Sequence, residues 1–199
     1  ITFRNLPQAL TFEESFRHSL FQVASIISTT GFATCDFIQW PTVCLMLLIF
    51  LTFTGACAGS TAGGFKLTRL NILAKSMIIK IRNMINPRKV EVMKIDGKPM
   101  TKESIGSVES YLMVYITILF VCAFLISFDG FDLTTNFTAS LTCISNVGPG
   151  YSELIGPFGS FSSFSWFSKL VLTIEMIAGR LEFFPILVLF SPKTWRKIV

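Results

Sequence analysis

Thr29-Thr30-Gly31-Phe32 and Asn146-Val147-Gly148-Pro149-Gly150 decide how the rest of this chain is read. Each closes an apolar stretch too short to cross a bilayer, Phe12 to Ser28 in one case and Leu133 to Ser145 in the other. A loop and then a much longer apolar stretch follow both. Short helix, glycine loop, long helix is therefore written twice, with Gly31 and Gly148 in register. That register also sets Ile27 against Ile144, Ser28 against Ser145, and Thr29-Thr30 against Asn146-Val147. Identity is weak while the hydropathy pattern repeats, which is a common sign of a transport fold.

The long stretches, Pro41 to Ala58, Tyr111 to Phe128 and Trp166 to Phe190, each approach or exceed the about 20 residues a hydrocarbon core requires. Composition agrees: 51% of residues are hydrophobic and 15% charged, against about 25% charged in an average soluble domain. The expected fold class is an all-α membrane protein built of pore-loop repeats around a central ion path. The chain starts at Ile1 without a signal-peptide pattern and reads as an excerpt of a longer protein. Thr11 with Glu13 and Glu14 predicts a cap and acidic first turn for one short helix, and Asp132 with Thr134 opens the other.

Net charge is +5, yet its distribution argues against nucleic acid. Lys66, Arg69, Lys75, Lys80, Arg82, Arg88, Lys89, Lys94, Lys98 and Lys102 fall in one connection, and Lys193, Arg196 and Lys197 at the C-terminus. By the positive-inside rule both regions are cytoplasmic, and the two intervening long stretches supply the even number of crossings this needs. Phe131 to Ser165 carries no Lys or Arg, as an outer segment would. The five cysteines show no CxxC pairing, and His18 is the only histidine, so neither a disulfide framework nor a metal centre is expected.

Two further segments stand out. Gly55-Ala56-Cys57-Ala58-Gly59-Ser60-Thr61-Ala62-Gly63-Gly64 interrupts the inner half of a long stretch with residues that hold a helix poorly. Non-helical backbone at that depth is tolerated only against protein or water, so this segment lines a cavity. The connection beyond it reads as an amphipathic helix to about Ile85; after Asn86-Pro87, alternating Val90, Val92 and Ile95 with Asp96-Gly97 signal a hairpin.

The chemistry these features support is ion passage. A dehydrated potassium ion needs a ring of oxygens, supplied in channels by backbone carbonyls of loops whose glycine takes positive φ. The candidate filter is Thr29, Thr30, Gly31 and Phe32 with Asn146, Val147, Gly148 and Pro149; Thr29, Thr30, Asn146 and Val147 are the expected potassium contacts. The negative ends of the short helices favour a cation there, and Asp129, Asp132 and Glu153 add acidic character near the outer face. Arg180, within Gly179-Arg180-Leu181-Glu182 of the last stretch, is a charge whose burial costs at least about 2.5 kcal/mol. It lies off the helical spacing from Glu175 and Glu182 and corresponds to Gly63 in the glycine register. An arginine opposite the flexible small-residue loop that holds Gly55, Gly59, Ser60, Thr61, Gly63 and Gly64 suggests an electrostatic barrier to cations. An intramembrane enzyme would have only Cys57, Glu175 and Arg180 to work with and no base or metal set beside them. A non-conducting scaffold leaves the paired loops unexplained.

At these residues the chain resembles the TrkH, TrkG and KtrB superfamily of potassium transporters. Thr29 to Phe32, Cys57 to Gly64, Asn86-Pro87-Arg88, Asn146 to Gly150 and Gly179 to Glu182 occur in family order, and Cys57-Ala58-Gly59 is similar to the TrkH type. The resemblance implies four repeats around one path, with no organic cofactor and potassium as cargo. Residues 1–65 would then hold most of the third repeat, 66–104 a cytosolic basic helix and hairpin, 105–192 the fourth repeat, and 193–199 a cytosolic tail. It further implies a homodimer, channel or symporter, in the bacterial inner membrane. A cytosolic nucleotide-binding ring of the TrkA or KtrA kind would gate it, with Gly55 to Gly64 and Arg180 closing the path.

Overall fold

The computed structural model describes residues 11–57, 59–60, 62–86, 93–95 and 98–181. Ala58, Thr61, Pro87 to Val92, Asp96-Gly97, Glu182 and the C-terminal tail lie outside the described residues. Six helices carry the architecture: α1 (Phe12–Ile27), α2 (Thr42–Thr54), α3 (Leu67–Ile85), α4 (Lys102–Ile126), α5 (Leu133–Ile144) and α6 (Trp166–Leu181). Among the described residues the fold is helical apart from one hairpin, β1 (Lys94–Ile95) with β2 (Lys98–Pro99), paired Lys94 to Pro99 and Ile95 to Lys98.

Local chemistry sets the boundaries of the short helices. Thr11 caps α1 in a reciprocal box: Glu14 N–H donates to its hydroxyl, and its own N–H donates to the Glu14 carboxylate, satisfying two donors left open at the helix start. Asp132 does the same work at α5, accepting from Thr135 N–H at 3.2 Å. The Thr135 hydroxyl also donates to it, and these bonds hold the Asp132 carboxyl below the usual carboxylate range.

Of the long stretches, only the helix running from Lys102 to Asp129 is, among the described residues, both long and apolar enough to cross a membrane alone. α2 is apolar but has 13 residues, about 20 Å at 1.5 Å per residue, because Gly55 takes φ +61° and ends it. α6 is described to Leu181, short of the predicted Phe190. Large apolar side chains project from α2 (Met46, Phe50) and α4 (Met113, Phe120, Phe124), each more than half exposed. A water-soluble monomer seldom carries so much exposed apolar surface.

α4, α5 and α6 pack on one another, and α2 packs on α1 and touches α5. One core cluster gathers Phe65, Tyr111, Tyr115, Leu119, Leu141 and Ile144, with Phe53 stacked on Phe65 at 5.6 Å and edge-on to Tyr115 at 5.4 Å. A second gathers Ile26, Phe37, Trp40, Cys44 and Leu48 with Val147 and Tyr151. The loop after α5 therefore plants its side chains in the core built by α1 and α2.

Candidate functional site

The two glycine loops leave their helices in the same way. Thr29 N–H donates to Ile26 O and Thr30 N–H to Ser25 O; Asn146 N–H donates to Cys143 O and Val147 N–H to Thr142 O. Each is the paired bonding of a Schellman ending, with Thr29 and Asn146 in the left-handed position, both at φ +55°. Glycine usually fills that position; here it falls two residues later, Gly31 at φ +79° and Gly148 at φ +106°. The first two N–H groups of each strip are thus spent on the preceding helix.

The loops also meet. A Cβ on Gly31 would lie 2.0 Å from Val147 O and 3.1 Å from Pro149 Cδ, so only glycine fits between the strips. Val147 is buried, whereas Phe32 is 71% exposed and Gly148 faces open space. The Phe32 carbonyl accepts from Ser25 Oγ at 2.7 Å, so that member of the predicted strip is engaged by its own short helix. Tyr151 completes the junction: its ring lies 5.6 Å from Phe37 and its hydroxyl 2.6 Å from Thr52 Oγ1 on α2.

Behind the strips, α6 and the small-residue segment approach the end of α5. A Cβ on Gly179 would lie 2.0 Å from Ile144 O, and one on Gly63 2.2 Å from Ser145 O. Asn146 Nδ2 donates to Met176 O at 3.0 Å, and Tyr115 OH pairs with Ser145 Oγ at 2.9 Å. The segment between α2 and α3 is an excursion with a closed stem. Phe65 N–H donates to Phe53 O and Leu67 N–H to Ala56 O, while a Cβ on Gly64 would lie 3.2 Å from Gly55 Cα. Ser60 N–H bonds Cys57 O, and Ala62 N–H bonds the Ser60 hydroxyl, forming a turn at the tip.

Arg180 is exposed and makes no hydrogen bond or ion pair with another described residue. Glu175 does not pair with it: that carboxyl is 1% exposed and bonded to Ser140 on α5. Sequence reasoning missed Ser25, Thr52, Tyr151 and Gly179 as parts of the site. Only Gly179, a glycine one turn from a buried position in a helix, left a signal of close helix approach.

Apolar helices that leave large side chains bare, arranged around two matched glycine loops, define an integral membrane protein. The chain belongs to the TrkH family of cation transport proteins, which it matches over residues 7–197. It is 34% identical over 92% of its length to the Trk system potassium uptake protein TrkH of Vibrio parahaemolyticus, of which it covers 37%. It is 35% identical over 92% to TrkG of Escherichia coli, again covering 37% of that protein. The crystal structure of the potassium transporter TrkH from Vibrio parahaemolyticus superimposes with TM-score 0.83 at 32% identity, covering 98% of this chain and 40% of that one. Family membership sets the chain among transporters and removes the enzyme reading.

Proposed function

We propose that this chain supplies two of four filter segments of a potassium uptake protein that crosses the bacterial inner membrane several times. The observation that carries the reading is the shared backbone of the two strips and their direct contact at Gly31 and Val147. With the first two N–H groups of each strip spent on α1 and α5, the strips have carbonyls left to offer, and the negative ends of both helices lie beside them. The relatives named as potassium uptake proteins support potassium as the cargo. Thr29, Thr30, Gly31, Asn146, Val147 and Gly148 are the working residues, with the Pro149 carbonyl at the outer end and the Phe32 carbonyl held back by Ser25.

The excursion from Gly55 to Gly64 is the intramembrane gate and Arg180 its electrostatic partner. Residues 1–65 and 105–192 are successive repeats. The basic connection 66–104 and the tail 193–199 face a cytosolic nucleotide-binding ring, and the whole protein is a homodimer. Rescue of cells lacking potassium uptake systems by the whole protein tests the reading. Growth restored at limiting potassium by the parent and not by a variant with Gly31 and Gly148 both replaced by Asp supports it; no rescue by a folded, membrane-inserted parent overturns it.

A further inference from the structure

Glu175 on α6 is a carboxyl group that the filter and gate leave unused, and its surroundings are unusual for one. Its side chain is 1% exposed. Oε1 lies 2.6 Å from Ser140 Oγ on α5, while Oε2 has no nitrogen or oxygen partner among the described residues and only the weakly donating Cys122 thiol of α4 beside the carboxyl. The other titratable groups facing it are Cys122 and Tyr115 from α4 and Cys143 from α5. No described Lys or Arg pairs with it.

Donor counting fixes the direction of the bond. Ser140 Oγ also lies 3.0 Å from the Leu119 carbonyl on α4. A serine hydroxyl carries one proton, and both neighbours of Ser140 Oγ are acceptors when Glu175 is ionised. Only one of the two contacts is then a hydrogen bond. When Glu175 carries a proton, both are: Oε1–H donates to Ser140 Oγ, and Ser140 O–H donates to Leu119 O. A dry apolar site also accepts a neutral acid far more readily than an unpaired carboxylate.

We propose that Glu175 is a neutral acid whose proton completes a relay joining α6, α5 and α4, and that this relay positions the filter strip after α5. The carbonyl of the next residue along α6, Met176, accepts from Asn146 Nδ2 at 3.0 Å, and Gly179 on the following turn lies directly against the Ile144 carbonyl, where a Cβ would come within 2.0 Å of it. The turn of α6 that carries Glu175 is therefore the one that holds the first residues of the strip. Losing the relay lets α5 shift against α6 and moves Asn146 and Val147 with it. Glu175 acts through α5 and touches no ion.

The inference rests on the potassium-filter reading for its functional consequence, but its chemical core does not. Infrared difference spectra of the whole protein in liposomes, parent minus Glu175→Gln, should show the carbonyl band of a protonated carboxylic acid at neutral pH. Rubidium-over-sodium selectivity should fall severalfold in Glu175→Ala and in Ser140→Ala. Glu175→Gln, whose amide N–H still donates to Ser140, should keep the parent ratio. A carboxylate band in place of the acid band overturns the neutral acid whatever ion is carried. An acid band with selectivity unchanged in folded Ser140→Ala overturns the positioning role. If Glu175→Ala does not fold, Ser140→Ala and Glu175→Gln decide the matter alone.

Discussion

Gly31 and Val147 meet backbone to backbone across the two loops, so closely that a Cβ on Gly31 would lie 2.0 Å from Val147 O. The strips are therefore a single packed unit, and a change in one is felt in the other. Gly148, at φ +106° with nothing within 4 Å of a Cβ, is the opposite case: strained for other residues, but unobstructed.

The two glycines should separate packing from selectivity. Gly31→Ser adds a collision with a carbonyl oxygen to a left-handed backbone penalty of about 1–2 kcal/mol, and should lower the yield of folded protein. Gly148→Ser meets the backbone penalty alone and should relax potassium over sodium discrimination with yield nearly preserved. Rubidium and sodium flux per folded protein measures the difference, and unchanged selectivity in Gly148→Ser counts against the filter assignment.

Tyr151 and Thr52 form a bond whose two halves are unequally costly to remove. Thr52 also donates to Leu48 O at 3.0 Å, so the Tyr151 hydroxyl is the donor between them. Tyr151→Phe leaves Thr52 satisfied and should cost about 1 kcal/mol. Thr52→Val strands a buried tyrosine hydroxyl and should cost about 1–3 kcal/mol. Thermal melts of both variants in detergent test the order; a Tyr151→Phe variant less stable than Thr52→Val contradicts it.

How much of this was legible beforehand depends on range along the chain. Gly31, Gly148 and the broken span at Gly55 announce themselves because glycine at positive φ is a local demand. Thr11 and Asp132 are visible for the same reason, since caps act within one turn. Contacts between distant segments left no such trace: nothing in the sequence says that Val147 fills the core around Phe37, or that Gly63 lies under Ser145. Arg180 and Glu175 divide the same way. Hydropathy flags both as charges in an apolar helix, but only the packing of α6 on α5 tells which faces inward.

Asp132 offers a test of the second short helix by pH. Its folded carboxyl titrates below its ordinary value because Thr135 bonds it, so its contribution is complete above about pH 3.9, the unperturbed value. It is lost as pH falls through the folded value. Asp132→Ala should cost about 1 kcal/mol at neutral pH. Asp132→Asn, which caps without titrating, should hold stability and flatten the acid limb of the melting curve. An acid limb identical in parent and Asn variant assigns that loss to other groups.

The gate is tested through Arg180 and the excursion together. A fixed positive charge beside a narrow path repels a cation strongly: at an effective dielectric of about 20, two unit charges 4 Å apart interact by roughly 4 kcal/mol. Arg180 is exposed and bonded to no described residue, so replacing it breaks no contact seen here and should leave the helices standing. The excursion can be shortened on similar grounds. Deleting Ala58 to Thr61 removes the tip turn between Cys57 and Ala62, while the stem bonds from Phe65 to Phe53 and from Leu67 to Ala56 lie outside the deletion. Gly63, which lies against Ser145 O, is retained as well. Arg180→Ala should therefore raise basal flux by lowering an electrostatic barrier, and the deletion should raise it further by removing a steric one. A structural arginine predicts the reverse sign, with less folded protein and slower uptake per cell. Liposome flux normalised to the folded fraction separates these outcomes, and values at or below the parent's for both variants would remove Arg180 and the excursion from the gate.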